Sequence, residues 1–137
     1  MLRSVHIADY MNPAPVKVHI NDSLTTAADV ITSQRVSGAC VVDDEGRLVG
    51  VLSEVDCLRA VISATYNNTA DIGTVRDAMT AEVQSCGPND NIVDVAMDMI
   101  SKGHRRRPVV DKGKLIGQLT CRQILRTVSS FNDSVRA

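Results

Sequence analysis

Apolar and polar positions along this chain follow two rhythms, and each rhythm occurs twice. Val16-Lys17-Val18-His19-Ile20 alternates apolar with polar, which predicts a half-buried strand. Leu24, Ala27, Ala28 and Ile31 then recur at i, i+3, i+4 and i+7, one face of a helix, with Ser23 in front as a good N-cap. Ala39 to Val42 and Leu48 to Leu52 are short apolar runs on either side of a polar turn, Asp43-Asp44-Glu45-Gly46, and predict an antiparallel hairpin. Ser53 stands where the hairpin hands over to a second helix, which continues through Val55, Leu58, Val61 and Ile62.

About 68 residues later the same order returns. Asp9-x-Met11 is answered by Asp77-x-Met79, Ser23-Leu24 by Asn91-Ile92, and Val41-Val42-Asp43 by Val109-Val110-Asp111. Ile92, Val95, Ala96 and Met99 repeat the helical face; Pro108 to Val110 and Leu115 to Leu119 repeat the hairpin, around a turn at Asp111-Lys112-Gly113. Thr120 takes the place of Ser53, before a helix through Ile124, Leu125 and Val128. The register slips by one residue in the turn after the shared Val-Val-Asp. A duplication of this length sets the architecture and supplies an internal control: agreement marks what the fold demands, and divergence marks where function is free to differ. The expected boundaries are repeat 1 at 1–66, a polar linker at 67–73, repeat 2 at 74–130 and a fraying tail at 131–137.

Composition narrows the function classes. At 137 residues, 44% hydrophobic and 23% charged, the chain reads as an ordinary soluble globular protein, and its net charge of −1 gives no pull toward nucleic acid or an anionic membrane. Aromatics make up 2%, too few for a base-stacking platform. No apolar run approaches the ~18 residues of a membrane span and the start lacks a signal-peptide layout, so the expected location is the cytosol. Cys40, Cys57, Cys86 and Cys121 lack the tight spacing of metal or disulfide sites, and Cys40 beside Val41 reads as a small buried hydrophobe. His6, His19 and His104 show no partner spacing. Neither a nucleophile–base pair nor a Gly-rich phosphate loop is visible, so no enzyme activity and no metal is expected.

The ordered motifs resemble the CBS domain, the cystathionine-β-synthase-type repeat, arranged as a tandem pair over about residues 5 to 130. The carriers are Asp9-Tyr10-Met11-Asn12-Pro13 and Asp77-Ala78-Met79-Thr80 at the openings. Arg105-Arg106-Arg107-Pro108-Val109-Val110-Asp111 and the Gly-x-Leu-Ser/Thr stretches carry it in the hairpins. The resemblance implies an α/β (α+β) fold of two repeats, each a small sheet with two helices, related by a pseudo-two-fold axis. It also implies a homodimer and a cleft for an adenosine-containing ligand: AMP, ADP, ATP or S-adenosylmethionine. Because the pair accounts for nearly the whole chain, any regulated effector is expected to be a separate protein, and no cofactor is required.

The family's ribose motif, Gly-x-x-Ser/Thr-x-x-Asp, is complete as Gly50-Val51-Leu52-Ser53-Glu54-Val55-Asp56. An ionised carboxylate accepts from both ribose hydroxyls, in charge-assisted bonds of ~1.5–3 kcal/mol each. The second copy reads Gly117-Gln118-Leu119-Thr120-Cys121-Arg122-Gln123; its glutamine lacks the charge and the paired acceptor oxygens. One competent and one degenerate cleft per chain are therefore expected. Ser53 and Asp56 are the expected ribose residues, and the resemblance points to Arg105, Arg106 and Arg122 for phosphate. Apolar backbone around Val16 to Val18 and Val36 to Ala39 is expected to meet the adenine, which makes Val16, Val18, Val36 and Ala39 the candidates. The same residues admit plainer readings: Asp56 as a first-turn helix acid, the arginines as a solvated edge, and the whole as a ligand-free dimeric scaffold. Arg107 stands where the family places an apolar residue, and either snorkels outward or reshapes the cleft.

Overall fold

The computed structural model describes residues 4–127; Val128 and the tail at 131–137 lie outside it. The fold is mixed α/β with two small sheets. β1 (Lys17–His19), β2 (Gly38–Val42) and β3 (Leu48–Ser53) form one sheet in that order, β1 parallel and β3 antiparallel to β2. β4 (Arg106–Asp111) and β5 (Lys114–Thr120) form the other. The helices are α1 (Leu24–Ser33), α2 (Glu54–Tyr66), the short α3 (Val75–Ala78), α4 (Ile92–Lys102), and α5, helical over 121–127.

Local chemistry explains these elements. Ser23 Oγ accepts from the Thr26 amide and Asn91 Oδ1 from those of Val93 and Asp94, so both expected caps form. Each hairpin is bulged at the same point, between Val41 and Val42 and between Val109 and Val110. The register slip has a turn-level cause. Lys112 and Gly113 both have positive φ, as a two-residue turn after β4 requires. The longer first turn is instead organised by Asp43, whose carboxylate accepts from the Glu45 and Arg47 amides.

One expectation needs correcting. The first strand of repeat 2 is reduced to a single parallel bridge, Cys86 to Val109, because Gly87-Pro88 stands where repeat 1 has His19-Ile20 and proline cannot extend a ladder. Helix α2 runs on to Tyr66, the last residue of the first expected repeat.

The chain divides into two compact units that do not follow the sequence repeats. One is Pro15–Val83; the other joins the described residues up to Ala14 to those from Gln84 onward. Each unit therefore includes the opening segment of the other copy. Within Pro15–Val83, Leu24 N–H donates to Gly73 O, Val75 N–H to Asp22 O and Arg76 N–H to Ile20 O. The other unit repeats all three bonds: Ile92 to Val5, Ile7 to Asp90 and Ala8 to Pro88. The Asp-x-Met motif completes the exchange. A Cβ on Gly50 would lie 2.7 Å from Met79 Sδ and 2.9 Å from Thr80 O; on Gly117 it would lie 2.6 Å from Met11 Sδ and 2.9 Å from Asn12 O. The shared glycine is a docking point for the shared methionine. Each unit has its own core, around Val18, Leu24, Ile31, Val41 and Leu52 in one and around Ile7, Tyr10, Ile92, Met99, Val109 and Leu119 in the other.

Candidate functional site

The Ser53–Asp56 junction is built by the end of β3 running directly into α2. Ser53 is extended (φ −104, ψ 162), which ends the strand and caps the helix. Its Oγ accepts from the Asp56 N–H at 3.0 Å, and Asp56 Oδ2 accepts from the Ser53 N–H at 2.9 Å, a reciprocal capping box. Asp56 is thus a first-turn helix acid, and one of its oxygens is committed to the backbone. Its other oxygen is in no hydrogen bond among the described residues.

Half-buried Asp56 borders an open cleft of about 390 Å³ within Pro15–Val83, lined also by Arg59, Ala60, Ile72, Asp77 and Ala78. That volume is within the range of small-molecule pockets, ~300–1,000 Å³. The Thr74 amide and hydroxyl donate to Asp77, holding its carboxyl below its ordinary value. The cleft therefore presents two carboxylates and one guanidinium over a small apolar floor, chemistry suited to accepting hydroxyl protons and meeting an anion. Reading from sequence missed Arg59 and Asp77 as site residues; Arg59, three residues beyond Asp56 and so on the same side of the helix one turn along, was the available signal.

The other expected residues are placed as follows. Val18 and Ala39 are in the core of the Pro15–Val83 unit, 3% and 4% exposed, while Val16 and Val36 pack half-buried against it. None of the four borders the Asp56 cleft. Arg105, Arg106 and Arg122 come together at one end of the other unit. The Cys121 N–H donates to Arg105 O, Arg106 pairs with Thr120 across the hairpin, and Arg122 follows in the first turn of α5. Arg105 and Arg122 are exposed and Arg106 is half-buried.

The second copy of the junction keeps only half the box. Thr120 Oγ1 accepts from the Gln123 N–H at 3.0 Å, and among the described residues no bond returns from the Gln123 side chain.

Arg107 turns inward. It is 4% exposed on the core side of β4, and its Nη1 donates to Asp98 Oδ2 at 2.7 Å. Nη2 lies 3.2 Å from His104 Nδ1, and Nε, buried, has no hydrogen-bond partner among the described residues. Lys102 Nζ reaches the same Asp98 oxygen at 3.0 Å and Gln84 Oε1 at 3.1 Å. The Arg107 and Lys102 bonds hold the Asp98 carboxyl below its ordinary value, and burial pushes the nearby Cys86 thiol up to about 11. His19, which shows no partner spacing in the sequence, has its Nε2 2.6 Å from Asp44 Oδ1. Among the described residues no group of three His, Cys, Asp or Glu side chains converges as metal ligands would, and no helix is long and apolar enough to cross a membrane.

A fold of two small sheets, each with a strand-to-helix Ser/Thr cap, matches a known class. Residues 7–63 and 75–130 each match the CBS domain. The chain belongs to the CBS-domain family, as a tandem pair. The crystal structure of CBSX2 in complex with AMP is 29% identical, with a TM-score of 0.83, covering 94% of this chain and 99% of that one. The CBS domain pair of protein MJ0100, in complex with 5′-methylthioadenosine and S-adenosyl-L-methionine, is 25% identical with a TM-score of 0.72, covering 90% of this chain and 98% of that one. The uncharacterized protein MJ1225 of Methanocaldococcus jannaschii is 27% identical over 124 residues, 90% of this chain. This chain spans 43% of that relative's length.

Proposed function

We propose that this CBS pair is a cytosolic regulatory sensor, not an enzyme, which binds an adenosine-containing ligand and signals to a separate protein. AMP, ADP and ATP lead the ligand panel, with S-adenosylmethionine beside them. The observation that carries the reading is Asp56: it completes the ribose motif, sits half-buried at a helix start and keeps one oxygen clear above a cleft. Ser53 fixes it there, since the cap and the carboxylate hold each other. Relatives whose structures contain AMP, or methylthioadenosine and S-adenosylmethionine, support the ligand class. By the same resemblance Arg105, Arg106 and Arg122 are the phosphate residues, and Val16, Val18, Val36 and Ala39 the apolar surroundings of the base.

A ligand-free dimeric scaffold is the competing reading, and α2 favours it. Val55, Leu58 and Ile62 on its outer side are 58%, 58% and 60% exposed, a stripe suited to a second copy. Homodimerisation belongs to both readings; the ligand separates them.

The test is a thermal-shift titration against AMP, ADP, ATP and S-adenosylmethionine, followed by calorimetry on Asp56→Ala. A ligand at 100 times its Kd stabilises a one-site protein by about 2.7 kcal/mol. Asp56→Ala is expected to weaken binding ten-fold or more. Unchanged affinity would remove the ribose role, and a flat panel with a stable dimer would leave the scaffold.

A further inference from the structure

We propose that Tyr10 closes the second copy of the Asp56 cleft, and that Ala78, at the same motif position, keeps the first copy open. The chain then carries one accessible cleft of this kind and takes up one nucleotide. For the identity of the ligand the inference rests on the proposed function; the closure itself is a matter of packing.

The cleft within Pro15–Val83 fixes the comparison residue by residue. At the offset that aligns Asp9 with Asp77, its lining residues Ile72, Asp77 and Ala78 correspond to Ser4, Asp9 and Tyr10. Beyond the one-residue slip, Asp56, Arg59 and Ala60 correspond to Gln123, Arg126 and Thr127. The backbone keeps the same register: the bonds from Leu24 to Gly73 and from Val75 to Asp22 return as Ile92 to Val5 and Ile7 to Asp90. The counterparts all belong to the other unit, so each copy is complete within its own.

The two copies use this space in opposite ways. Ala78 ends at a methyl, packs half-buried against its own core and lines the open cleft. Tyr10 leaves the equivalent position of the Asp-x-Met motif with a phenol ring, and is 1% exposed. Its hydroxyl donates to Ser4 O at 2.6 Å and accepts from the Ser4 N–H at 3.3 Å. Ser4 stands where the cleft has Ile72, so the ring spans from one lining position to another. Ser4 Oγ also donates to Asp9 Oδ2. Three counterparts of the lining are thus bonded to one another.

The consequence is exclusion. A ligand entering the second copy would have to draw a buried ring away from Ile7, Ile92, Met99 and Leu119 and break both hydroxyl bonds to Ser4. Restoring a carboxylate at Gln123 would add an acceptor but no room.

Placing the ring in the first copy tests the closure. Ala78→Tyr should have a denaturation midpoint no lower than the wild type, because the ring enters space already open. Its crystal structure should show the cleft beside Asp56 filled. By calorimetry, wild type and Gln123→Asp should each bind one equivalent of AMP, and Ala78→Tyr should bind it at least ten-fold more weakly. Two equivalents in either of the first two would overturn the proposal. So would unchanged affinity in Ala78→Tyr, while loss of binding in Asp56→Ala left the sensor reading intact. A lowered midpoint, or a ring turned out to solvent, would also overturn it by showing that the position has no room. Should the wild type give no heat with AMP, the sensor reading fails alone, and the midpoint and crystal structure of Ala78→Tyr still decide the closure.

Discussion

The junctions Ser53–Asp56 and Thr120–Gln123 start from the same backbone and carry different chemistry. Both hydroxyls cap a helix by accepting from the amide three residues on, at 3.0 Å in each case. Only Asp56 sends a bond back. Since the second copy starts its helix without a return bond, the carboxylate is not what makes the junction. The hydroxyl belongs to the fold, whereas the carboxylate is an addition that the fold accommodates and a ligand can use. The same logic separates Gly50 and Gly117, identical because a methionine docks on each, from Ala39 and Arg107, which share a strand position and little else.

The largest effect should come from what the copies share. Gly50→Ala and Gly117→Ala each push a methyl against a backbone carbonyl 2.9 Å away as well as a flexible methionine. A loss of about 1–3 kcal/mol is expected for each by denaturant titration. If one copy accepts alanine freely, the methionine docking is not a common requirement. The caps come next. Ser53→Ala and Thr120→Ala should each cost about 1 kcal/mol, because each removes one hydroxyl-to-amide bond and the Ser53 amide keeps its bond to Asp56. A clearly larger loss at Ser53 would mean that its hydroxyl also holds the Asp56 side chain in place for the bond from the Ser53 amide.

The smallest effect concerns pH and the Asp98–Arg107 pair. Asp98 titrates below its ordinary 3.8 in the folded protein, so as pH falls the unfolded chain takes up this proton first. The contribution is complete above that ordinary value and is lost as pH falls through the lower, folded one. Wild type should therefore lose thermal stability in acid relative to Asp98→Val/Arg107→Ala, which lacks the group. Parallel Tm curves below pH 4 would show that the ion pair carries no stability of its own.

Much of this was legible in the sequence because the signals were local. Ser23 and Asn91 announced their helices, and the turns announced their hairpins. The complete motif around Asp56 could be read from a few adjacent residues. What escaped was either non-local or a departure from the repeat. Gly87-Pro88 shortened a strand that symmetry alone had predicted. Arg107 was noticed as odd, but its partner lies on the preceding helix, and only reading Asp98 against Val30 at the same offset would have exposed the pair. Arg59 and Asp77 share a cleft because α3 is brought back to α2, which no local pattern announces.

The exchanged opening segments also set a timetable. Everything that builds the Pro15–Val83 unit has been made once residue 83 leaves the ribosome, before β5 exists. Met11 must wait for Gly117, more than a hundred residues later. At ~5–20 residues per second that is a delay on the order of 5–20 s. For that interval the segment up to Ala14 waits for the rest of its own unit, and closing so long a loop is the step that completes that unit.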